Sequence, residues 1–194
     1  MILKKTLLTA VLFCGFALMA HFPMSVAAEK QKGAFNVTFT PLQLGVFPDI
    51  QLFYGKTHTF AALALLGVMQ ESSLLSFAPV NGLKNNYFLQ TGFLLAVAEN
   101  NYFLSAALIN FADKNCGMQI GILGNASSIG SGIQLGSVNL QGKMQIGLYN
   151  IDGRFQLGVL NKGSGIQIGL LNYNPESYIA WMPLVNFGMG RDGK

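Results

Sequence analysis

The sequence predicts an all-β repeat protein, a β-solenoid with two packed sheets. Three observations carry the prediction: a short unit recurs along the chain, its apolar residues alternate with period two, and residues of turn-forming chemistry separate the copies. The clearest copies are Met118-Gln119-Ile120-Gly121-Ile122-Leu123, Ile133-Gln134-Leu135-Gly136-Ser137-Val138-Asn139, Met144-Gln145-Ile146-Gly147-Leu148-Tyr149-Asn150, Phe155-Gln156-Leu157-Gly158-Val159-Leu160-Asn161 and Ile166-Gln167-Ile168-Gly169-Leu170-Leu171-Asn172. They start 15, then 11, 11 and 11 residues apart. Upstream, Asn85-Asn86-Tyr87-Phe88-Leu89 recurs unchanged as Asn100-Asn101-Tyr102-Phe103-Leu104, and Leu42-Gln43-Leu44-Gly45-Val46-Phe47 fits the same template.

The unit defines its own coordinates. With its first residue as position zero, positions zero, two and four are mostly aliphatic, position one is Gln, position three is small and position six is Asn. Successive side chains on a strand point to opposite faces. The even positions are therefore expected to form one dry aliphatic seam, with Ile120, Ile146, Leu157 and Ile168 inside it. Gln119, Gln134, Gln145, Gln156 and Gln167, with Asn139, Asn150, Asn161 and Asn172, are expected to form an amide ladder on the surface. Small residues at position three would leave a shallow groove on that outer face. An 11-residue unit looks too short to close a turn alone, so two units per turn are expected.

An antiparallel meander or outer-membrane barrel is the alternative arrangement. Its strands alternate in the same way, but magnitude disfavours it. A seven-residue strand reaches roughly 23 Å, or about 16 Å of membrane when tilted by ~45°, against an apolar band of about 25 Å.

The chain's 194 residues divide into an export leader at 1–28, one β-repeat domain at 29–187 and a loose tail at 188–194. In the leader, Lys4 and Lys5 precede an apolar run from Leu7 to Ala20, and Val26-Ala27-Ala28 places small residues before a cleavage expected ahead of Glu29. Cys14 follows Phe13 rather than a small residue, which disfavours lipidation there. The expected location is exported: periplasm, outer membrane or cell surface. The array should be closed by caps, Pro41 to Phe53 at the start and the aromatic stretch Tyr178 to Phe187 at the end.

Composition narrows function mainly by exclusion. The chain is 51% hydrophobic and 10% charged, with 23 glycines, against roughly 25% charged in ordinary soluble domains. No two basic residues adjoin after the leader, so no nucleic-acid footprint is expected. His58 is read as a solvated loop residue, and Cys116 as a small buried thiol beside a turn. Glu99 and Asp113, read as turn residues, could stack on one edge. No catalytic residue, metal site or cofactor is expected. Envelope components or other copies of the chain are the partners to consider.

Residues at both ends and in the middle carry a resemblance. Pro41-Leu42-Gln43-Leu44-Gly45-Val46-Phe47-Pro48, the series of QIGLxN units, and Trp181-Met182-Pro183-Leu184-Val185-Asn186-Phe187 resemble a family of bacterial surface-repeat proteins built of G-L-Q-L-G-L-V-N units. The match runs from about residue 40 to 187, and the early units, such as Phe60 to Gln70, depart from the pattern. The resemblance implies an exported, surface-associated protein of unassigned activity, which makes a non-enzymatic scaffold or binding face the expected role.

Overall fold

The structure, a computed structural model, describes residues 39–47, 50–51 and 58–188. The leader expected at 1–28 and most of the tail expected at 188–194 lie outside the described residues. The chain is all-β, a β-solenoid of about eight turns. Its strands are β1 Phe39–Phe47, β2 Ile50–Gln51, β3 His58–Ala64, β4 Gly67–Asn101, β5 Leu104–Asn115, β6 Met118–Gly130, β7 Ile133–Leu140, β8 Met144–Ile151, β9 Phe155–Lys162, β10 Ile166–Tyr173 and β11 Trp181–Phe187. From β1 to β10 the successive partners run parallel, apart from the short β2, which lies antiparallel on β1. Parallel stacking in sequence order overturns the meander and barrel alternative.

Register corrects the expected number of units per turn. Ile133 pairs with Met144, Met144 with Phe155, and Phe155 with Ile166. One 11-residue unit therefore makes one complete coil. It closes because the strand turns a corner inside the unit. Between β6 and β7 the ladder runs through position three, breaks, and resumes at Gly124 and Val138. Each short coil thus has two limbs facing each other, joined by the corner on one side and a three-residue turn on the other. These limbs are the two packed sheets.

The corner explains the glycine at position three. A Cβ on Gly147 would lie 1.9 Å from the carbonyl oxygen of Gly136 and 2.5 Å from Nδ2 of Asn139. On Gly158 it would lie 2.1 Å from the Gly147 oxygen and 2.5 Å from Nδ2 of Asn150. Neighbouring coils and an interior amide occupy the space a side chain needs.

Upstream coils are longer and have a third limb. Asn101 pairs with Asn115, and Asn115 with Gly130, beyond the segments that the short coils retain. Ala98, Ala112 and Ser127 are the small buried residues of that limb. The exact repeat at 85–89 and 100–104 now has a physical reading. Tyr87 stacks on Tyr102 at 5.5 Å and Phe88 on Phe103 at 4.8 Å outside, while Asn86 donates to Asn101 inside at 2.7 Å.

The caps are antiparallel strands. β1 is itself the first rung rather than a cap, and β2 folds back over it. At the other end, Asn174 to Ala180 reverse the chain and β11 pairs antiparallel with β10, setting Asn186 opposite Gln167. A Gly158→Ala substitution should lower unfolding stability by about 1–3 kcal/mol, as overpacking does in a rigid interior. Urea denaturation checks this; an unchanged midpoint would contradict the corner geometry.

Candidate functional site: an inverted coil and its outer trough

The interior is polar and the exterior aliphatic, the reverse of the expected seam. None of Gln119, Gln134, Gln145, Gln156, Gln167, Asn139, Asn150, Asn161 and Asn172 is more than 2% exposed. The amide ladder therefore exists, but inside the coil, not on the surface. Ile120, Leu157 and Ile168 are exposed, and Ile146 is half-buried.

The reason lies in hydrogen-bond accounting. A coil this narrow brings backbone carbonyls close to its own axis, and a buried carbonyl needs a donor. A side-chain amide supplies two N–H groups. Gln145 donates one to Oε1 of Gln134 at 3.0 Å and the other to the Ile151 carbonyl at 3.0 Å, across the coil. Asn150 donates to Oδ1 of Asn161 at 2.8 Å and to the Leu157 carbonyl at 3.0 Å. Leucine in place of Gln145 would leave Oε1 of Gln134 without its donor and Nε2 of Gln156 without that acceptor, at about 1–3 kcal/mol each. The two ladders also run in opposite senses. Each Gln donates to the preceding coil and each Asn to the following one, so the two rows of amide dipoles oppose each other.

Hydrophobic side chains displaced from the interior build the outer surface. Positions two and four form two rails, and the small residues at position three form the floor between them. Upstream the trough encloses about 900 Å³, with Leu63, Phe77, Phe93 and Ile122 on its rails and Ala64 and Gly92 on its floor. Downstream a second, separate stretch of about 610 Å³ lies over Gly147, Gly158 and Gly169, with Ile146, Leu157 and Ile168 on one side and Leu170 with Leu184 and Val185 of β11 on the other. The expected groove is present, but its walls are aliphatic and aromatic, since the Gln side chains point the other way. Ile122, Leu148 and Leu170 are 69%, 61% and 67% exposed.

Charge is absent from this face. The ten charged residues among those described are Glu71, Lys84, Glu99, Asp113, Lys114, Lys143, Asp152, Arg154, Lys162 and Glu176, five of each sign. Lys143, Asp152, Arg154 and Lys162 lie at or beside the turns between short coils, Glu71, Lys84, Glu99, Asp113 and Lys114 lie within the longer upstream strands, and Glu176 lies in the connection to β11. Lys84 bonds Glu71 at 2.7 Å, and this hydrogen bond, with the attraction of the Glu71 charge, raises the lysine's pKa.

The remaining candidates resolve individually. His58 opens β3 rather than sitting in a loop, and its Nδ1 lies 2.6 Å from Ser72 Oγ. Cys116 does lie in a turn, between β5 and β6, but it is exposed, not buried. Glu99 and Asp113 lie in adjacent strands β4 and β5, in neighbouring rungs and exposed, rather than in turns. Among the described residues no group of three or more His, Cys, Asp and Glu side chains could hold a metal ion, and no helix is long and apolar enough to cross a membrane.

The chain matches no family model, no curated protein and no solved structure.

The ladder is interrupted at Ser105, and the interruption is testable. Ser105 stands between Gln90 and Gln119 in the stack. Its hydroxyl bonds Asn110 at 2.9 Å instead, and Oε1 of Gln90 and Nε2 of Gln119 have no hydrogen-bond partner. Ser105→Gln places a donor and an acceptor facing those two atoms in the sense of the other rungs. It should raise stability by about 1–2 kcal/mol, whereas Gln156→Leu should lower it by about 3 kcal/mol. Denaturant midpoints check both; equal tolerance of the two changes would contradict a hydrogen-bonded interior.

Proposed function

We propose that the chain is a non-enzymatic, exported surface or envelope protein whose solenoid is a scaffold presenting the trough as a binding face. One observation carries this reading: two uncharged stretches of apolar trough, one between Leu44 and Ile122 and one between Ile146 and Val185, lie along a solenoid of about eight turns, and no charged residue lines either. Exposed apolar stretches of this kind mark contact with another molecule. Stacked ladders make the rod stiff, so side chains far apart in sequence hold fixed spacings along one line. The export leader and the resemblance to surface-repeat proteins support the location.

Fractionation tests this reading. The full chain, expressed in a Gram-negative host, should lose its leader ahead of Glu29 and be recovered from the envelope or the medium, degraded when protease is added outside the cytoplasm. Recovery from the cytoplasm with the leader intact would overturn it.

A further inference from the structure

We propose that the corner of the solenoid is seated in one leaflet of a lipid bilayer, the rod lying flat on the membrane with its turn edge in water. The proposal rests on the scaffold reading and names the partner of its trough, the hydrocarbon of phospholipid tails.

The apolar surface is not confined to one face. In the coil of β8, Met144 and Ile146 point outward from the first limb, Tyr149 and Ile151 from the second, and Leu148 stands on the corner between them. Neighbouring coils repeat this arrangement in register. A flat protein partner covers one side of such a coil. A leaflet into which the corner sinks covers both sides and the corner together.

Polarity changes with height above the corner. Leu65, Phe93, Ile122, Leu148 and Leu170, all at position four, are 61–77% exposed. Beside the turn edge stand amphipathic residues: Tyr173 packs on Trp181 with ring centroids 4.7 Å apart, and Lys162 Nζ lies 5.4 Å from the Tyr173 ring. The edge itself carries the exposed Lys143, Asp152 and Arg154. Aliphatic, then aromatic with a lysine, then charged is the order a bilayer selects from its interior outward. β11 shows the same order without belonging to the repeat. Its register sets Trp181 beside Tyr173, Leu184 beside Gly169 at the corner and Phe187 beside Ile166. The third limb of the upstream coils joins the far ends of the other two, so Glu99, Asp113 and Lys114 lie away from the corner.

Depth agrees with this placement. From position zero to the corner a limb rises about 10 Å, at ~3.3 Å per residue. Interfacial elements sink about 5–10 Å, and one leaflet of hydrocarbon is about 15 Å thick, half of a ~30 Å core. The corner therefore fits within a leaflet without spanning the bilayer. Strands pair from coil to coil, so the sides of the rod present no strand edge to lipid. Ser137, a polar residue at position four, donates its hydroxyl to the Ile122 carbonyl at 2.7 Å. The described charges sum to zero, so apolar area rather than attraction to anionic headgroups drives the insertion.

Flotation with neutral phosphatidylcholine vesicles tests this on the chain from Glu29 onward, which contains every described residue. The chain should float with the vesicles even at about 1 M salt. Emission from Trp181, the single tryptophan, should shift to the blue and be quenched by phosphatidylcholine brominated on its tails. The double variant Leu148→Lys, Leu170→Lys should weaken partitioning at least about 100-fold with its circular dichroism unchanged, and Arg154→Glu should leave it within about twofold. With Cys116→Ser as background, a fluorophore on Leu170→Cys should be quenched by the brominated tails and one on Ser164→Cys, in a turn, should not. A folded chain that stays out of the vesicle fraction, as a monomer or as a soluble dimer, overturns the insertion. So does binding that needs anionic lipid and is lost at about 1 M salt. Equal quenching at Ser164→Cys and Leu170→Cys overturns the orientation. A chain that is exported but does not float sinks the insertion alone, and one that floats but is retained in the cytoplasm sinks the location alone.

Discussion

The amide–amide hydrogen bond between consecutive coils is the interaction on which the rest depends. Gln167 donates to Gln156, Gln156 to Gln145 and Gln145 to Gln134, all between 2.9 and 3.0 Å. Each bond fixes a coil against its neighbour, and each amide's second N–H answers a carbonyl inside its own coil or the next. In low dielectric such chains of bonds are strong when complete and costly when broken. That asymmetry makes Gln at position one and Asn at position six near-obligatory. Where the interior amide gives way to Ser105 or Ala96, the coils are longer and other small residues share the inside.

A polar interior has a consequence for the surface. A chain that is 51% hydrophobic must place its aliphatic residues somewhere, and an inside filled by amides sends them out. Strand alternation then lines them up, coil over coil, into rails. Fold and trough thus come from one constraint. The ladder puts Gln in, so Ile and Leu face out; the corner requires Gly, so a floor lies between them. The charged residues lie off the trough, at the turns and at solvent-facing positions of the longer upstream strands.

Much of this was legible in the chain and one central element was not. Period-two alternation at Met144–Asn150 and Phe155–Asn161, with Asn-Asp-Gly-Lys turns between, predicts stacked strands, and equal spacing predicts stacked amides. The facing was inverted, because alternation reports that two faces differ without reporting which one is inside. The usual rule places Ile146 and Leu157 in the core. It fails here because the coil is too narrow to bury aliphatic residues and still supply its inward carbonyls with donors. The same misjudged width led to two units per turn, since the corner after Gly147 has no signature other than the glycine. The trough was foreseen from the small third position, but its walls were misassigned along with the facing.

The most direct test of the account is the solvent exchange of the side-chain amide protons of Gln145, Gln156, Asn150 and Asn161, followed by NMR. Enclosed in hydrogen-bonded ladders, these protons should exchange orders of magnitude more slowly than those of a free, solvated side-chain amide. Exchange at the rate of a free amide, in a chain whose strands remain intact, would mean that the amides face water and that the coil is not inverted.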